Sequence, residues 1–560
     1  MPAMPSPLSS TAFRPMSELQ DIVNRRWDVI IVGTGVGGAT LGYALARAGK
    51  RVLFCEKGRS HLGGDGAITG SYAEQHFDRP SVPRPEHRSA LARAGRFWDQ
   101  VTDRSGPKPR TFIPFIGAGT GGSSALYGMA MERFFPEDFE PGRNHLRAAE
   151  SSLPERWPIT YEELAPYYAA AEQLYGVRGE RDPLRTEPGL PPLPKAPPLT
   201  ATAQQLLDLL AGKGLHPYRL PMGCEYVPGC ECCQSYLCAR DCKNDSARVC
   251  LRPAVTDHGA VLLDQCEVLR LDATRETVTG VICDRLGETF RLAADTVVLA
   301  AGALVSPAIL LRSRSNDWPN GLANDSGLVG RNLMRHYLDL YIVTPRVKPL
   351  DNRQKELAFT DFCQFRGERL GTVQSFGLLP PADLVAESLQ DDVRHGAWPW
   401  LSAAFGLAKP AVKAVLRRLS DRSVVFAGTV EDLPYPDNRV TLGIESKVPL
   451  AIHYWMHAEA KARIAQFREL VRAAFSPNRV QIVKQAENNE RLAHACGTCR
   501  FGDEPRSSVL DRNNRAHGLA GLYVVDSSFF PSSGGTNPSL TIAANALRIG
   551  DHLLQSVDSA

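Results

Sequence analysis

His494 and Asn537 are the two polar side chains near the C-terminal end whose types suit a reacting centre. An imidazole with an ordinary pKa of about 6.5 exchanges its proton near neutral pH. A carboxamide does not titrate, so its use is to orient an oxygen. Between them an apolar run, Leu522 to Val525, ends in Asp526. After Asn537 come Pro538 and a helix of small residues. A strand ending in an acid, then a Gly-rich turn and a helix, aims N-terminal amides at a ligand. A single His is as readily a satisfied core residue, so the assignment depends on a cofactor site elsewhere in the chain.

That site is legible at the other end. Trp27 to Val32 reads as a short buried strand, followed by Gly33, Gly35 and Gly38 in G-x-G-x-x-G spacing, a helix to about Ala48, and a second strand ending at Glu56. The first glycine permits the tight turn, the second lets backbone approach a pyrophosphate, and the third lets helix and strand pack closely. Glu56 stands where an acid meets ribose hydroxyls. Strand, turn, helix and acid together predict dinucleotide binding, without separating NAD from FAD. A second Gly-rich loop, Phe115 to Met129, contains Gly117, Gly119, Gly121 and Gly122 before Ser123 and Ser124. Its backbone can lie flat against a ring or a phosphate.

Seven cysteines, Cys224, Cys230, Cys232, Cys233, Cys238, Cys242 and Cys250, fall within 27 residues. Thiolates this close suit an iron–sulfur cluster or zinc. Only one C-x-x-C unit, Cys230 to Cys233, is present, whereas zinc favours two. Cys232, Cys238 and Cys242 have spacing for three corners of a cluster. Reduced structural thiols are the remaining reading.

These elements need a large scaffold. The chain has 560 residues, 43% hydrophobic and 22% charged, enough for two to four cores. A net charge of +3 gives no reason to expect nucleic acid. No apolar run is long enough to span a bilayer, and the first 26 residues lack an apolar signal region. A cytoplasmic location is the resulting expectation, and there thiols outnumber disulfides. The pattern predicts a flexible arm over 1–26, in which Phe13 to Val23 has helical character. The α/β cofactor domain is expected in three pieces, 27–155, 255–335 and 485–560. A helical and Cys-rich connection covers 156–254, and an α+β substrate domain with an antiparallel sheet covers 336–484. Thr160 and Glu163 have capping-box spacing. The apolar stretch Ala397 to Leu407, flanked by Lys409, Lys413, Arg417 and Arg418, reads as a buried lid or dimer contact ahead of a membrane-surface segment.

The N-terminal VGTGVGGATLGYALARAGKRVLFCEKG, the middle GAGTGGSSALYGM and the C-terminal HACGTCRFG with SVLD and HGLAGLYVVDSSFFPSSGGTNPSLTIAANALR together resemble the glucose–methanol–choline (GMC) oxidoreductases. The likeness implies a discontinuous Rossmann-like FAD domain and selects FAD over NAD. By that likeness Gly33, Gly35, Gly38 and Glu56 hold the ADP half. Gly121, Gly122, Ser123 and Tyr127 lie along the flavin, and Val268 meets the adenine. Asp526 and the turn to Asn537 cover the pyrophosphate and pyrimidine edge. His494 matches the family's active-site His, and Asn537 its His-or-Asn partner. Leu126 stands where some relatives carry a flavin-linking His, which implies non-covalent FAD. The implied reaction is oxidation of an alcohol, of a sugar, aminosugar or polyol, with His494 taking the proton as hydride moves to flavin N5. Oxygen, a quinone or a cytochrome would then reoxidise the flavin. Aminosugar oxidases are one similar subgroup. Sugar dehydrogenases with a [3Fe-4S] cluster are another, although Lys243 follows Cys242 here where they have Pro. A flavin lyase, and a dehydrogenase passing electrons through a cluster to a protein acceptor, are the alternatives.

Overall fold

The computed structural model describes residues 16–557, apart from 65, 79–81, 146, 147, 149, 347–353, 396–399 and 444–448. Helix α1 (Met16–Asn24) precedes strand β1 (Arg26–Val32), helix α2 (Val36–Arg47) and strand β2 (Val52–Cys55). The four residues of β2 are all buried, as a strand covered on both faces must be. β1 pairs in parallel with β2 and with the C-terminal part of the long strand Glu288–Leu299, where Val32 faces Leu299. Val261–Leu263 extends the sheet beyond β2, and Leu522–Val524 pairs with Val297 to Leu299. The first half of Glu288–Leu299 instead pairs antiparallel with Val278–Arg285, which pairs in turn with Cys266–Ala273. One long strand thus joins a parallel cofactor layer to an antiparallel flap. The three separated pieces of sequence meet in one core.

α1 carries the helical character read in Phe13 to Val23, and the chain over residues 19–27 is packed rather than a loose arm. Leu19 and Ile22 are buried in that core, and the Trp27 indole N–H donates to the Ile22 carbonyl at 3.2 Å. The amphipathic pattern finds a sheet to lie on. Residues 1–15 lie outside the described part.

The second sheet is antiparallel throughout. Its order is Arg479–Val483, Tyr337–Thr344, Val424–Val430, Gly371–Ser375, Leu357–Phe359 and Tyr218–Arg219. The central Val424–Val430 is buried at every residue. The helices Ala201–Ala211 and Ala458–Ala474 contribute to the same core. The predicted cap is present: Thr160 Oγ1 accepts from Glu163 N at 3.2 Å and Thr160 N donates to Glu163 at 2.8 Å.

The apolar stretch near residue 400 is not buried. Residues 397–399 lie outside the described part, but Trp400 is 74% and Leu407 88% exposed on the helix Leu401–Arg422. Its cations are engaged locally: Lys409 pairs with Glu387, and Lys413 and Arg417 with Asp383. Among the described residues no helix is long and apolar enough to cross a membrane.

Candidate active site

The cofactor crevice opens at the C-terminal ends of the parallel strands, where ligands of open α/β sheets bind. Gly33 has φ +97°, and a Cβ there would lie 2.6 Å from the Ala300 carbonyl oxygen. A Cβ at Gly38 would lie 2.2 Å from the Gly33 oxygen. At Gly35 an added Cβ would meet nothing within 4 Å, so this glycine faces open space at the N-terminus of α2. The second Gly-rich loop arches over it: a Cβ at Gly122 would lie 3.1 Å from Gly35 Cα, and Gly121 and Gly122 have φ of +90° and +51°. Two backbones without side chains therefore face one another, which fits a pyrophosphate and a flat ring.

Two acids hold this crevice in shape. Glu56 accepts from Thr34 N (3.1 Å) and Thr34 Oγ1 (2.7 Å) on one oxygen, and from Gly58 N (2.9 Å) and Gly119 N (3.0 Å) on the other. A carboxylate offers about four lone-pair directions. Glu56 fills them with the turns after β1 and β2 and with the 117–122 loop. These bonds tie the Glu56 carboxylate to the edge of the crevice, beside the position at which a ribose is expected. Asp526 is used the same way. It accepts from Ser528 N (2.8 Å), Ser528 Oγ, Gly302 N (2.9 Å) and Ser306 Oγ (2.5 Å), so it joins the ends of two strands rather than offering a free oxygen. Burial pushes both acids' pKa values up, and the donated hydrogen bonds oppose the rise.

Ser123 is exposed, with Oγ accepting from Gly117 N at 3.0 Å. Tyr127 spends its hydroxyl on the Asn244 carbonyl at 2.6 Å, leaving only its ring for the loop's inner face. Val268 is buried in Cys266–Ala273, opposite Cys283. Leu126 is buried and offers no nucleophile.

His494 lies on the segment that follows Arg479–Val483. It has φ +56°, a region that costs a residue with a Cβ about 1–2 kcal/mol. Backbone bonds impose it: Met334 N to Cys496 O (3.0 Å), Cys496 N to Met334 O (2.9 Å) and His336 N to Ala493 O (2.9 Å). Strain held by its surroundings in this way is a mark of functional positions. His494 Nδ1 is 2.9 Å from His336 Nδ1. His336 Nε2 lies 3.1 Å and 2.9 Å from the carbonyl oxygens of Ser533 and Gly534. Those residues open the turn that leads to half-buried Asn537. The turn is braced further by Asp432 N donating to Ser533 Oγ (3.1 Å) and Thr372 Oγ1 donating to the Gly535 carbonyl (3.0 Å). His494 and the approach to Asn537 are thereby fastened to one scaffold. Burial first, with repulsion by the neighbouring His336 (were it protonated) and Lys355 adding to it, pushes the His494 pKa well below 6.5, which favours the neutral ring.

Three neighbours were not singled out in the sequence. His336 precedes a strand and reads as an ordinary core residue. Glu132 is half-buried, accepting from Tyr218 Oη and from Thr536 Oγ1 at 3.3 Å, one residue before Asn537. The buried Lys355 amine is pushed down to about 8 by desolvation. A Cβ at Gly128 would lie 2.6 Å from its Nζ and 2.2 Å from Gln234 Oε1, so a glycine of the loop makes room for both.

The thiols gather differently from the spacing argument. Cys232, Cys238 and Cys242 do not share one locus. Cys224, Cys230 and Cys242 do, with all three sulfurs within 4.8 Å of one another. Cys224–Cys230 is 3.7 Å and Cys230–Cys242 is 3.5 Å, while Cys238 lies on the far side, 3.6 Å from Cys242 and hydrogen-bonded also to Cys233. Cys232 turns its backbone N–H toward Cys230 sulfur at 3.4 Å. The reason is the chain path: Cys232 has φ +48°, which reverses the backbone between neighbouring cysteines.

A GMC oxidoreductase family model matches residues 218–338 and another 434–546, and an NAD(P)-binding Rossmann-like model matches 31–81. The chain is 30% identical to paromamine 6'-oxidase of Streptomyces fradiae, over 94% of this chain and 91% of that one. It is 27% identical to 2-methyl-1,2-propanediol dehydrogenase of Mycolicibacterium austroafricanum, over 94% and 95%. Among solved structures, pyridoxine 4-oxidase from Mesorbium loti superposes with a TM-score of 0.61 at 21% identity, covering 95% of this chain and 99% of that one. The chain belongs to the GMC oxidoreductases: it is an FAD-dependent enzyme acting on CH–OH groups.

Proposed function

We propose that the enzyme oxidises a hydroxyl of a sugar, aminosugar or other polyol to the carbonyl, with His494 as base and Asn537 orienting the oxygen. The observation that carries this is the state of His494. Nδ1 is engaged by His336, Nε2 has no hydrogen-bond partner among the described residues, and burial lowers its pKa, which favours the neutral ring. A neutral imidazole with one unspent nitrogen is equipped to take a hydroxyl proton. FAD would be held non-covalently by the backbone around Gly35, Gly121 and Gly122, and when bound would supply the two-electron acceptor. Glu132, Thr536, Gln234 and Lys355 give the same region donors and acceptors for a hydroxyl-rich substrate. The test is anaerobic mixing of the flavin-loaded enzyme with sugars, aminosugars and aliphatic alcohols. Bleaching of the flavin band by a polyol is expected, and its loss in flavin-loaded His494→Ala. Full bleaching by that variant overturns the assignment of the base. Mixing the reduced enzyme with oxygen, a quinone or a cytochrome then identifies the acceptor.

A second reading concerns the thiols. In a cluster each cysteine binds its own iron, so the sulfurs stand well apart. Ligands sharing one tetrahedral ion at about 2.3 Å stand about 3.8 Å apart. The 3.5 and 3.7 Å spacings among Cys224, Cys230 and Cys242 favour the single ion over the cluster. Iron and acid-labile sulfide in anaerobically purified protein would reverse that preference.

A further inference from the structure

We propose that His336 is a positioning residue that decides which nitrogen of His494 carries the hydrogen, so that Nε2 is the one left bare. The inference rests on His494 being the base. Nε2 of His336 faces two carbonyl oxygens, Ser533 at 3.1 Å and Gly534 at 2.9 Å. Carbonyl oxygens only accept, so this nitrogen carries a hydrogen. Burial holds His336 neutral, with no carboxylate among its hydrogen-bond partners. Its Nδ1 is therefore a lone pair. Nδ1 of His494 lies 2.9 Å away, a distance that requires one hydrogen between the two nitrogens. Only His494 can provide it. With Nδ1 of His494 protonated, Nε2 holds the lone pair that the reaction needs.

The geometry leaves little freedom to choose otherwise. The rings meet edge to face, with centroids 5.0 Å apart and planes at 85°. Paired backbone bonds between 334–336 and 493–496 fix both residues. A neutral imidazole without such a neighbour samples both tautomers, and one of them cannot accept a proton at Nε2. The two carbonyls thus instruct His336, and His336 instructs His494. A carboxylate in this place would attract a proton to the pair, whereas two carbonyls and an imidazole set the tautomer without adding charge.

Two substitutions separate this role from simple bracing of the 533–534 turn. In His336→Asn, Oδ1 takes the place of Nδ1 and still accepts from His494, but nothing reaches the two carbonyls. In His336→Gln, the amide N–H₂ takes the place of Nε2 and still donates to the carbonyls, but nothing accepts from His494. Flavin reduction by the reactive alcohol is followed in both, with KM, flavin content and far-ultraviolet circular dichroism. Expected is kcat within about threefold of wild type for His336→Asn. For His336→Gln a loss of about 10- to 100-fold is expected at unchanged KM and flavin content, the usual effect of losing the group that orients a working histidine. The reverse order, or equal losses at full flavin content, overturns the proposal. If either variant fails to hold flavin, ¹⁵N-histidine-labelled wild type decides it, with His494→Ala to assign the resonance. A protonated Nδ1 on His494 is expected, and a protonated Nε2 overturns the proposal. Unimpaired flavin reduction by His494→Ala would instead remove the base reading, an outcome distinct from either.

Discussion

The two halves of the crevice use buried polar side chains in opposite ways. On the dinucleotide side, Glu56 and Asp526 each receive four donated hydrogen bonds from the protein itself. On the substrate side, His494 makes one side-chain hydrogen bond and keeps Nε2 unspent among the described residues. Saturated carboxylates hold loops, because leaving such a buried acceptor unmade is costly and making it fixes the partner. Unsaturated groups remain available to a ligand. The difference sets two acids that brace the loops of the crevice apart from a strained His, outside any strand, that keeps a ring nitrogen unspent.

The largest effect that would break the comparison is at His494. Replacement by Ala is expected to lower kcat by roughly 10²–10⁴-fold with flavin content and melting temperature near wild type, measured by anaerobic flavin reduction. Asn537→Ala should lower kcat by about 10²-fold, as for loss of one oriented donor, again without loss of flavin. Glu56→Gln and Asp526→Asn should do the opposite. An amide turns donors toward donors, each costing about 1–3 kcal/mol per group left unpaired, so melting temperature and flavin retention fall. If either acid variant kept its flavin and melting temperature, the distinction between framework and chemistry would be gone.

A smaller effect sharpens the electrostatics. His494 has its pKa well below 6.5, so kcat/KM should stay level through neutral pH and fall only in acid, where the base is protonated. Lys355 contributes to that depression. Lys355→Met should therefore raise the His494 pKa and move the acid limb to higher pH. In wild type a change near pH 8, where Lys355 loses its proton, should be present and should vanish in the variant. The same lowered histidine pKa values have a stability consequence. The unfolded chain binds protons first, so the stability contributed by neutral His336 and His494 is present above about 6.5 and is lost as pH falls below it. Melting temperature against pH checks the sign.

The dinucleotide fold was legible because its devices are local. Gly33 needs a positive φ, Gly38 has no room for a Cβ, and β1 and β2 are short apolar runs of a length only a buried strand has. His494 and Asn537 could be read only as residue types suited to the proposed chemistry. What was not legible depends on contacts between distant segments. The hydrogen bonds that hold Glu56 and Asp526 in place were not legible, since nothing in a sequence says that Thr34 and Ser306 reach them. His336 was invisible because a His before a strand has no pattern; its meaning comes from a backbone pairing with residues some 160 positions later. The cysteine spacing identified the segment but not the group, because a left-handed Cys232 redirects the chain between Cys230 and Cys233.

Helix α2 begins against the other end of the polypeptide. A Cβ at Gly37 would lie 2.1 Å from the Val525 carbonyl oxygen, and Gly550 comes within 3.4 Å of Ala44 in the same sense. The glycine fingerprint is translated well before the surface it leans on. One half of the nucleotide grip is therefore made long before the residues that complete it, and capture of the cofactor waits until both have been translated.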